Sequence, residues 1–362
     1  MVSGVSLRDI ISKTMSEWMK GTGPESDIVI GSRVRLARNL SGIPFPAVAS
    51  DESLRRVVEL VERATKQLES ADRYEFVRLS EVPILERQLL IEKHLISPQH
   101  AEQVKHKAVV LRDDEAVSIM VNEEDHLRIQ ALFPGMQPHE AWALCSKVDD
   151  AYDAHLPYAF NEERGYLTAC PTNVGTGMRA SLMVHLPALA MTRQIPRVLQ
   201  IVSQFGLAVR GLYGEGTEAQ GNIFQFSNQV TLGRTEEEIL QNLVDVTRQI
   251  IEQERQAREY VMSKNRGPLE DRVWRSYGIL SNARSMTSQE AMQLLSDVRL
   301  GIDLGLVEGL EGRILQELLV TIRPAHLQRI MGRELEAPER DVFRASLIRE
   351  RLKESGAEKN SV

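Results

Sequence analysis

The chain has 362 residues, of which 42% are hydrophobic and 26% charged. These values are typical of soluble globular proteins, and the length allows two or three domains. With 44 Lys and Arg against 51 Asp and Glu, the net charge of -7 gives no global reason to expect nucleic acid or an anionic membrane as the main partner. Two cysteines, Cys145 and Cys170, are too few for a zinc site or a disulfide framework and fit a reducing, cytoplasmic setting. No run approaches the roughly 20 apolar residues that a membrane span needs.

Residues 1–26 are predicted to form an amphipathic helix that docks on the rest of the chain. Ser6 and Asp9 have the spacing of a helix-capping pair, and Gly21 is a stop signal. The apolar residues with helical spacing are Leu7, Ile10, Ile11, Met15, Trp18 and Met19.

From residue 27 to about 260, short alternating runs that predict strands stand between helical stretches. The run AVSIMVNEEDHLRIQ, if it forms one uninterrupted strand, presents Glu124, His126 and Arg128 together on its polar face. A solvated strand face is the alternative. In NIFQFSNQVTLG, apolar residues of one parity predict a strand with one buried face. These residues are Phe224, Phe226, Val230 and Leu232.

Two segments combine arginine with patterns that favour a bound anion. In GSRVRLARNL, Arg33 and Arg35 fall on one side of a predicted strand, where like charges repel unless an anion lies between or above them. In CPTNVGTGMRASLMVHLPAL, a glycine-rich turn at 172–177 precedes leucines with helical spacing, which predicts a turn that feeds a helix N-terminus. Arg179 would lie in the first helical turn, where a cation needs an anion nearby. A plain turn with a solvent-facing arginine is the alternative.

From Glu236 onward the pattern predicts successive helices, with breaks near Gly267-Pro268, Gly309 and Pro324. We place a domain boundary near residue 260, so that residues 27–260 form a domain of mixed strands and helices and residues 261–362 an all-helical domain.

The helical domain contains the segment ERDVFRASLIRERL. On a helix, Arg340 and Arg344 lie one turn apart and can clamp a phosphate while Asp341 pairs with a guanidinium. Together they describe a phosphoarginine-binding site, and a solvated helix with ion pairs is the alternative.

No lysine-containing phosphate loop, His-Glu-x-x-His or Gly-x-Ser-x-Gly motif is present in the sequence. Instead, the segments DIVIGSRVRLARN, VNEEDHLRIQ, CPTNVGTGMRASLM and VRGLYGEGTEAQGNIFQFSN resemble, in order and form, the phosphagen kinases, which are ATP:guanidino phosphotransferases. The resemblance covers about residues 27–254. It implies an α+β fold, with an antiparallel, glutamine-synthetase-like β-sheet flanked by helices, and the use of ATP with Mg²⁺ held mainly through the ATP phosphates.

The resemblance also implies the site residues. The implied catalytic residues are Glu124, Glu215 and Cys170. The implied ATP-binding residues are Ser32, Arg33, Val34, Arg35, His94, Arg128, Arg179, Ala180, Ser181, Leu182, Met183, Arg210, Gly211 and Gly214. No metal-binding side chain is implied. Met183 stands where the larger enzymes usually have histidine, which argues against a base-stacking role copied from them.

One departure from the larger phosphagen kinases bears on the substrate. Those enzymes carry a helical domain ahead of the Ser-Arg-Val-Arg motif that closes over a free amino acid, and the segment before Ser32 is too short for it. With an appended helical domain, the chain therefore resembles the bacterial protein arginine kinases, in which Arg-Asp-x-x-Arg-Ala is a phosphoarginine site.

This resemblance implies phosphorylation of arginine in proteins, proteolysis by a Clp-type ATPase/protease, inactivation of a heat-shock repressor, a small zinc-binding activator protein and a homo-oligomer. No direct nucleic acid or membrane partner is implied. The alternatives are a kinase for a free guanidino compound such as L-arginine, and a catalytically silent phosphoarginine-binding adaptor.

Overall fold

The computed structural model describes residues 6–13, 15–68, 73–210, 220–310 and 312–358. The strands are β1 (Val29–Arg38), β2 (Tyr74–Arg78), β3 (Ala108–Arg112), β4 (Val117–Val121), β5 (Leu127–Pro134), β6 (Phe160–Asn161), β7 (Gly165–Tyr166), β8 (Met178–His185), β9 (Leu207–Arg210) and β10 (Ile223–Asn228). The helices are α1 (Leu7–Ser12), α2 (Asp51–Thr65), α3 (Ile84–Glu92), α4 (Pro98–Ala101), α5 (Pro138–Asp153), α6 (Pro187–Met191), α7 (Ile195–Gln204), α8 (Glu236–Lys264), α9 (Arg266–Asn282), α10 (Ser288–Asp303), α11 (Gly312–Thr321), α12 (Pro324–Met331) and α13 (Ala337–Glu358).

An eight-stranded antiparallel sheet, in the order β2-β3-β4-β5-β1-β8-β10-β9, organises the first two thirds of the chain. Side chains of alternate parity face opposite sides of this sheet. Val34 and Leu36 of β1 and Ala180 and Leu182 of β8 are completely buried on one side, where α2, α5 and α8 pack. The other side carries polar and charged residues as well as a second hydrophobic cluster, which includes Leu111 and Leu132. The sheet, its helices and the helical C-terminal region confirm the predicted α+β class.

The strand β8 corrects the sequence prediction of a helix after the glycine-rich turn. Met178, Ala180, Leu182 and Val184 alternate along the segment and are all buried, so the sequence fits a strand period as well as a helical one. The neighbouring strands β1 and β10 pair with both edges of β8. This long-range pairing decides between the two periods, and Arg179 therefore lies in a strand.

The run AVSIMVNEEDHLRIQ forms two strands, β4 and β5, joined by a tight turn in which Asn122 has a φ of 58°. The turn resets the alternation, so the predicted polar face shared by Glu124, His126 and Arg128 is wrong for His126. The His126 ring is buried, and its Nδ1 accepts a hydrogen bond from the Leu40 amide (2.9 Å).

The strand β10 ends at Asn228, earlier than its apolar pattern predicts. Phe224 and Phe226 are buried as predicted, but Val230 is 56% and Leu232 55% exposed. The prediction that these two residues share the buried face is therefore wrong, because both follow the end of the strand.

The N-terminal segment packs in this second hydrophobic cluster through Ile10, Trp18 and Met19, which are all buried. The predicted capping pair is confirmed, because the Ser6 hydroxyl accepts from the Asp9 amide (3.3 Å) and the Asp9 carboxylate from the Ser6 amide (3.2 Å). The predicted single helix is wrong, since α1 stops at Ser12 and a 3-10 helix follows at Glu17–Lys20.

The Lys93 ammonium explains this interruption of the N-terminal helix. It binds the backbone oxygens of Ile10 (3.4 Å) and Lys13 (2.6 Å). The chain then turns so that Trp18 is buried. As predicted, the segment stops at Gly21, which takes a φ of 65°.

The C-terminal helices attach to the sheet region through buried polar contacts. The break before α9 falls at Asn265, just ahead of the predicted Gly267-Pro268, and α8 spans the predicted boundary near residue 260, which stays a prediction. The Glu92 carboxylate accepts from the amides of Ala325 (2.8 Å) and His326 (3.0 Å) at the start of α12. None of the helices within the described ranges is long and apolar enough to cross a membrane.

Candidate active site

A cleft of about 640 Å³ opens on the polar side of the sheet. Its floor is β1, where Arg33 and Arg35 face the cleft because Val34 and Leu36 between and beyond them face the core. Arg179 of β8 stands directly opposite Arg35 in the strand register, and Arg128 of β5 lies on the same side. The alternation of three strands thus brings four of the predicted arginines into one cleft.

The electrostatics of this cluster favour an anion. Burial, together with the positive charges of Arg33, Arg128 and Arg179, lowers the pKa of Arg35 well below its ordinary value. The Nε of Arg35 is buried and has no hydrogen-bond partner among the described residues. A buried donor without a partner is costly, and a polyphosphate placed among these guanidinium groups would supply both the acceptor and the opposing charge.

Two glutamates of the turn between β4 and β5 hold Arg128. Its guanidinium contacts the carboxylates of Glu123 (2.7 Å) and Glu124 (2.6 Å). Burial opposes ionisation of Glu123, but the Arg128 charge and the Ser97 hydroxyl bond (2.7 Å) leave its pKa below the ordinary value. Glu124 is 45% exposed in its side chain. Glu123 is therefore committed to Arg128, whereas Glu124 also faces the open cleft.

The segment after β7 places Cys170 on the cleft wall near Glu124. The Cys170 Sγ lies 3.0 Å from the Thr172 hydroxyl, and the Arg179 guanidinium donates to Thr172 (3.2 Å) and Asn173 (3.1 Å). Asp125 ties this segment to the glutamate turn, because its carboxylate accepts from the Ala169 amide (2.7 Å). The geometry therefore fixes Cys170 and Glu124 relative to one another.

His94 lines the same cleft in a left-handed conformation with a φ of 61°. Its ring packs edge-on against Trp18, with 5.2 Å between the ring centroids. Burial, reinforced by the charges of Arg33 and Arg323, lowers the pKa of His94 to about 3. The ring is therefore neutral at physiological pH and adds no charge to the arginine cluster.

The other predicted nucleotide residues divide by strand parity. Val34, Ala180 and Leu182 have completely buried side chains in the core, so their side chains do not reach the cleft, and their assignment to ATP binding stays a prediction. Ser181 and Met183 line a small pocket beside Arg33 and His94. Ser32 also borders this pocket, but its hydroxyl is buried and donates to the Gly135 carbonyl (2.7 Å).

Four predicted residues are wholly or partly outside the described part of the chain. Gly211, Gly214 and Glu215 lie outside the described residues, as does the side chain of Arg210. The Arg210 backbone ends β9, opposite Gln225 of β10 in the strand register. The roles implied for these four residues stay predictions.

Sequence reasoning missed three polar residues that line the cleft. Glu123 adjoins Glu124 in the same turn, and this adjacency in the sequence is the signal that could have identified Glu123. Gln225 accepts from the Arg33 guanidinium (3.1 Å), and Asn173 accepts from Arg179. The pairing partner of Gln225 comes from a strand 192 residues away in sequence, so its role depends on the sheet order.

The predicted phosphoarginine residues lie together at the start of α13 but differ in their contacts. Arg344 is buried and donates to the carbonyls of Ile322 (2.9 Å) and Met286 (2.8 Å), besides pairing with Asp341. Arg340 is less buried and donates to the Leu335 carbonyl (2.6 Å). The assignment of these residues to phosphoarginine binding stays a prediction.

Similarity to known proteins agrees with this geometry. Residues 56–257 match the ATP:guanido phosphotransferase C-terminal catalytic domain, and residues 266–362 match the protein-arginine kinase McsB C-terminal domain. The chain belongs to the ATP:guanido phosphotransferase family. Within this family it is 55% identical to the protein-arginine kinase of Desulforamulus reducens, over 96% of this chain and 98% of the relative. It is 58% identical to that of Moorella thermoacetica, over 93% and 97% of the two chains.

Solved structures show the same fold. A lombricine kinase superposes with a TM-score of 0.58 at 25% identity, covering 70% of this chain and 72% of that one. A duplicated taurocyamine kinase from Schistosoma mansoni superposes with a TM-score of 0.59 at 24% identity, covering 67% and 34% of the two chains. As a member of the ATP:guanido phosphotransferase family, the protein is an ATP-dependent kinase.

Proposed function

We propose that this kinase transfers the γ-phosphoryl group of ATP to the guanidinium of arginine residues in proteins. The observation that carries the proposal is that Arg33, Arg35, Arg128 and Arg179 line one cleft together with Glu124 and Cys170. The names and near-complete coverage of the protein-arginine kinase relatives support the same acceptor.

The arginines and the carboxylates have separate tasks in this reaction. In phosphoryl transfer the protein contributes mainly alignment and charge stabilisation, which the four guanidinium groups supply to the phosphates. A guanidinium has a pKa above about 12 and needs to lose a proton as its nitrogen attacks. We assign this proton to the exposed carboxylate of Glu124. The N–P bond forms as the bond from the γ-phosphorus to the bridging oxygen breaks, and ADP leaves with that electron pair.

The cleft residues fit a magnesium-bound nucleotide. Across the described ranges, no group of three His, Cys, Asp or Glu side chains is arranged to hold a metal ion. We propose that the metal would be held mainly by phosphate oxygens and water. Glu123 and Glu124 are the carboxylates among the described residues that line the cleft. Bound Mg²⁺ supplies neutralisation of charge on the phosphates.

Further aspects of the proposal rest on the family resemblance. We propose that Glu215 is the second carboxylate at the acceptor, that Arg210 joins the phosphate cradle, and that Arg340, Asp341 and Arg344 bind phosphoarginine. We also propose a cytoplasmic homo-oligomer with a small zinc-binding activator. Its products would be marked for Clp-type proteolysis, and its targets would include a heat-shock repressor.

The test is phosphate transfer from Mg-ATP to an unfolded arginine-containing protein and, in parallel, to free L-arginine. Sites are mapped by mass spectrometry under non-acidic conditions, because the N–P bond is labile in acid. We expect label on protein arginines and not on free arginine. Glu124→Gln is expected to abolish transfer while nucleotide binding persists. Label on free arginine alone would identify a small-molecule kinase, and no label in either reaction, with phosphoarginine binding retained, would identify an adaptor.

A further inference from the structure

Four apolar residues surround the Cys170 segment with their side chains in solvent. Phe160 is 57%, Val230 56% and Leu232 55% exposed, and Pro171, next to Cys170, is also exposed. We call Phe160, Pro171, Val230 and Leu232 the rim surface. Single exposed apolar residues are ordinary, but a group of them beside a cleft is typical of an interaction site.

The backbone brings the segments of the rim surface next to one another. Phe160 pairs with Tyr166 in the small β6–β7 sheet, and Tyr166 pairs in turn with Gly175. Gly175 takes a φ of 111° and lies against Leu232, since a Cβ at this position would come within 3.0 Å of the Leu232 Cα. The hairpin and the segment after β10 therefore lie side by side with the glycine turn between them.

The rim surface is fixed to the acceptor end of the cleft. The buried Thr231 hydroxyl lies within hydrogen-bond distance of the Thr172 carbonyl (2.9 Å) and the Val174 carbonyl (2.6 Å). Thr231 is anchored inward by these bonds, while Val230 and Leu232 on either side of it are exposed. Thr172 contacts the Cys170 sulfur, so the rim surface adjoins the cysteine directly.

We infer that the rim surface docks apolar residues that flank the target arginine in an unfolded polypeptide. The inference rests on the proposed function, because an arginine whose side chain enters the cleft leaves its chain neighbours at this rim. The hairpin tip carries Glu162 and Glu163 besides Arg164, all exposed, and the two carboxylates favour a segment rich in positive charge. The kinase thereby favours arginines of segments that a folded protein buries, since a run of apolar neighbours is mostly buried until the protein unfolds.

The test compares two peptides, each with a single arginine, blocked ends and equal charge. In one peptide leucines flank the arginine, and in the other asparagines do. We expect the wild-type kcat/KM to be about tenfold higher for the leucine peptide, mainly because its KM is lower. In Val230→Ser/Leu232→Ser, kcat/KM for the leucine peptide should fall five- to tenfold, while that for the asparagine peptide stays within twofold. Phe160→Ser should also lower kcat/KM for the leucine peptide relative to the asparagine peptide. The matched control Ile330→Ser, on a similarly exposed α12 residue, should leave this ratio unchanged.

Several outcomes would overturn the inference. Equal use of both peptides by the wild type would show that the rim surface does not select, and the proposed function would stand. A loss of both peptide activities in the double variant, with unchanged melting temperature and ATP affinity, would assign Val230 and Leu232 to the shape of the cleft instead. A shift of the double variant to a smaller assembly in light scattering, with peptide selectivity retained, would assign the rim surface to a second copy. No transfer to any peptide or protein by the wild type would refute the proposed function itself.

Discussion

Two arginine clusters in this molecule differ in the hydrogen-bond partners of their buried guanidinium groups. In the cleft, Arg35 is surrounded by Arg33, Arg128 and Arg179, and its buried Nε has no partner among the described residues. In the helical domain, burial also lowers the pKa of Arg344. That guanidinium nevertheless binds two backbone carbonyls and the carboxylate of Asp341.

This difference separates a guanidinium that still lacks a partner from one that is already bonded to the fold. A like-charge cluster with an unpaired buried donor is unfavourable until an anion enters it. A guanidinium whose donors reach carbonyls of two other segments stabilises the fold without any ligand. The Nε of Arg35 is therefore the donor in the cleft that an anion would satisfy, whereas Arg344 already has protein partners.

The largest effect is expected for Arg35→Met. Loss of one charge-stabilising donor of the cleft should lower kcat about 10²- to 10³-fold. The melting temperature should stay equal or rise, because repulsion with Arg33 and Arg179 is relieved. Steady-state kinetics and thermal unfolding measure the two effects, with Arg56→Met on the exposed face of α2 as the control. A clear drop in melting temperature would instead make Arg35 a structural residue like Arg344.

Arg344→Met should show the reverse behaviour. The change leaves the buried carbonyls of Ile322 and Met286 without their donor, so the free energy of unfolding should fall by about 2–4 kcal/mol. Urea unfolding measures this loss, and Arg340→Met, at a less buried position of the same helix, should cost much less. If Arg344→Met keeps its stability but loses affinity for phosphoarginine, the guanidinium serves the ligand and the contrast between the clusters does not hold.

The sequence predicts the cleft better than it predicts the elements that build it. Alternation places Arg33 and Arg35 on one face correctly, because both follow the register shift between Val29 and Gly31, and β1 is regular from there on. The segment of Arg179 satisfies both a helical and a strand period, and only its two neighbouring strands select the strand. The turn at Asn122 and the partnership of Arg33 with Gln225 depend on long-range pairing, which a local pattern does not contain.

We expect the free energy of unfolding to depend on pH through the buried residue His126. Burial lowers the pKa of His126 from 6.5 to about 4, although its bond to the Pro44 carbonyl opposes this shift. The unfolded chain then binds a proton before the folded protein does. The contribution of His126 to the free energy of unfolding is fully present above pH 6.5. It falls by up to about 3 kcal/mol as the pH drops toward 4.

Urea unfolding at pH 7.5, 5.5 and 4.5 tests this window. His126→Gln should lose about 1 kcal/mol at pH 7.5, where the Leu40 amide loses its acceptor, and should decline less steeply toward pH 4.5. Burial also lowers the pKa values of His94 and His100. These two residues should therefore cause part of the decline in the free energy of unfolding in both proteins. Parallel profiles for the wild type and His126→Gln would show that His126 contributes nothing to the acid sensitivity.

The smallest effect concerns the N-terminal segment as a support for the cleft. The Trp18 indole donates to the Lys93 carbonyl (3.1 Å) and packs against the His94 ring. Trp18→Phe keeps an aromatic ring but removes the donor, which costs about 1 kcal/mol. Since a tenfold change corresponds to about 1.4 kcal/mol, KM for ATP should rise three- to fivefold with kcat unchanged. Trp274→Phe, at an exposed position on α9, is the matched control. A fall in kcat without a change in KM would place Trp18 closer to the transferring phosphate than its contact with His94 implies. The arginine cluster would then depend on a neutral neighbour for its alignment as well as on its own charges.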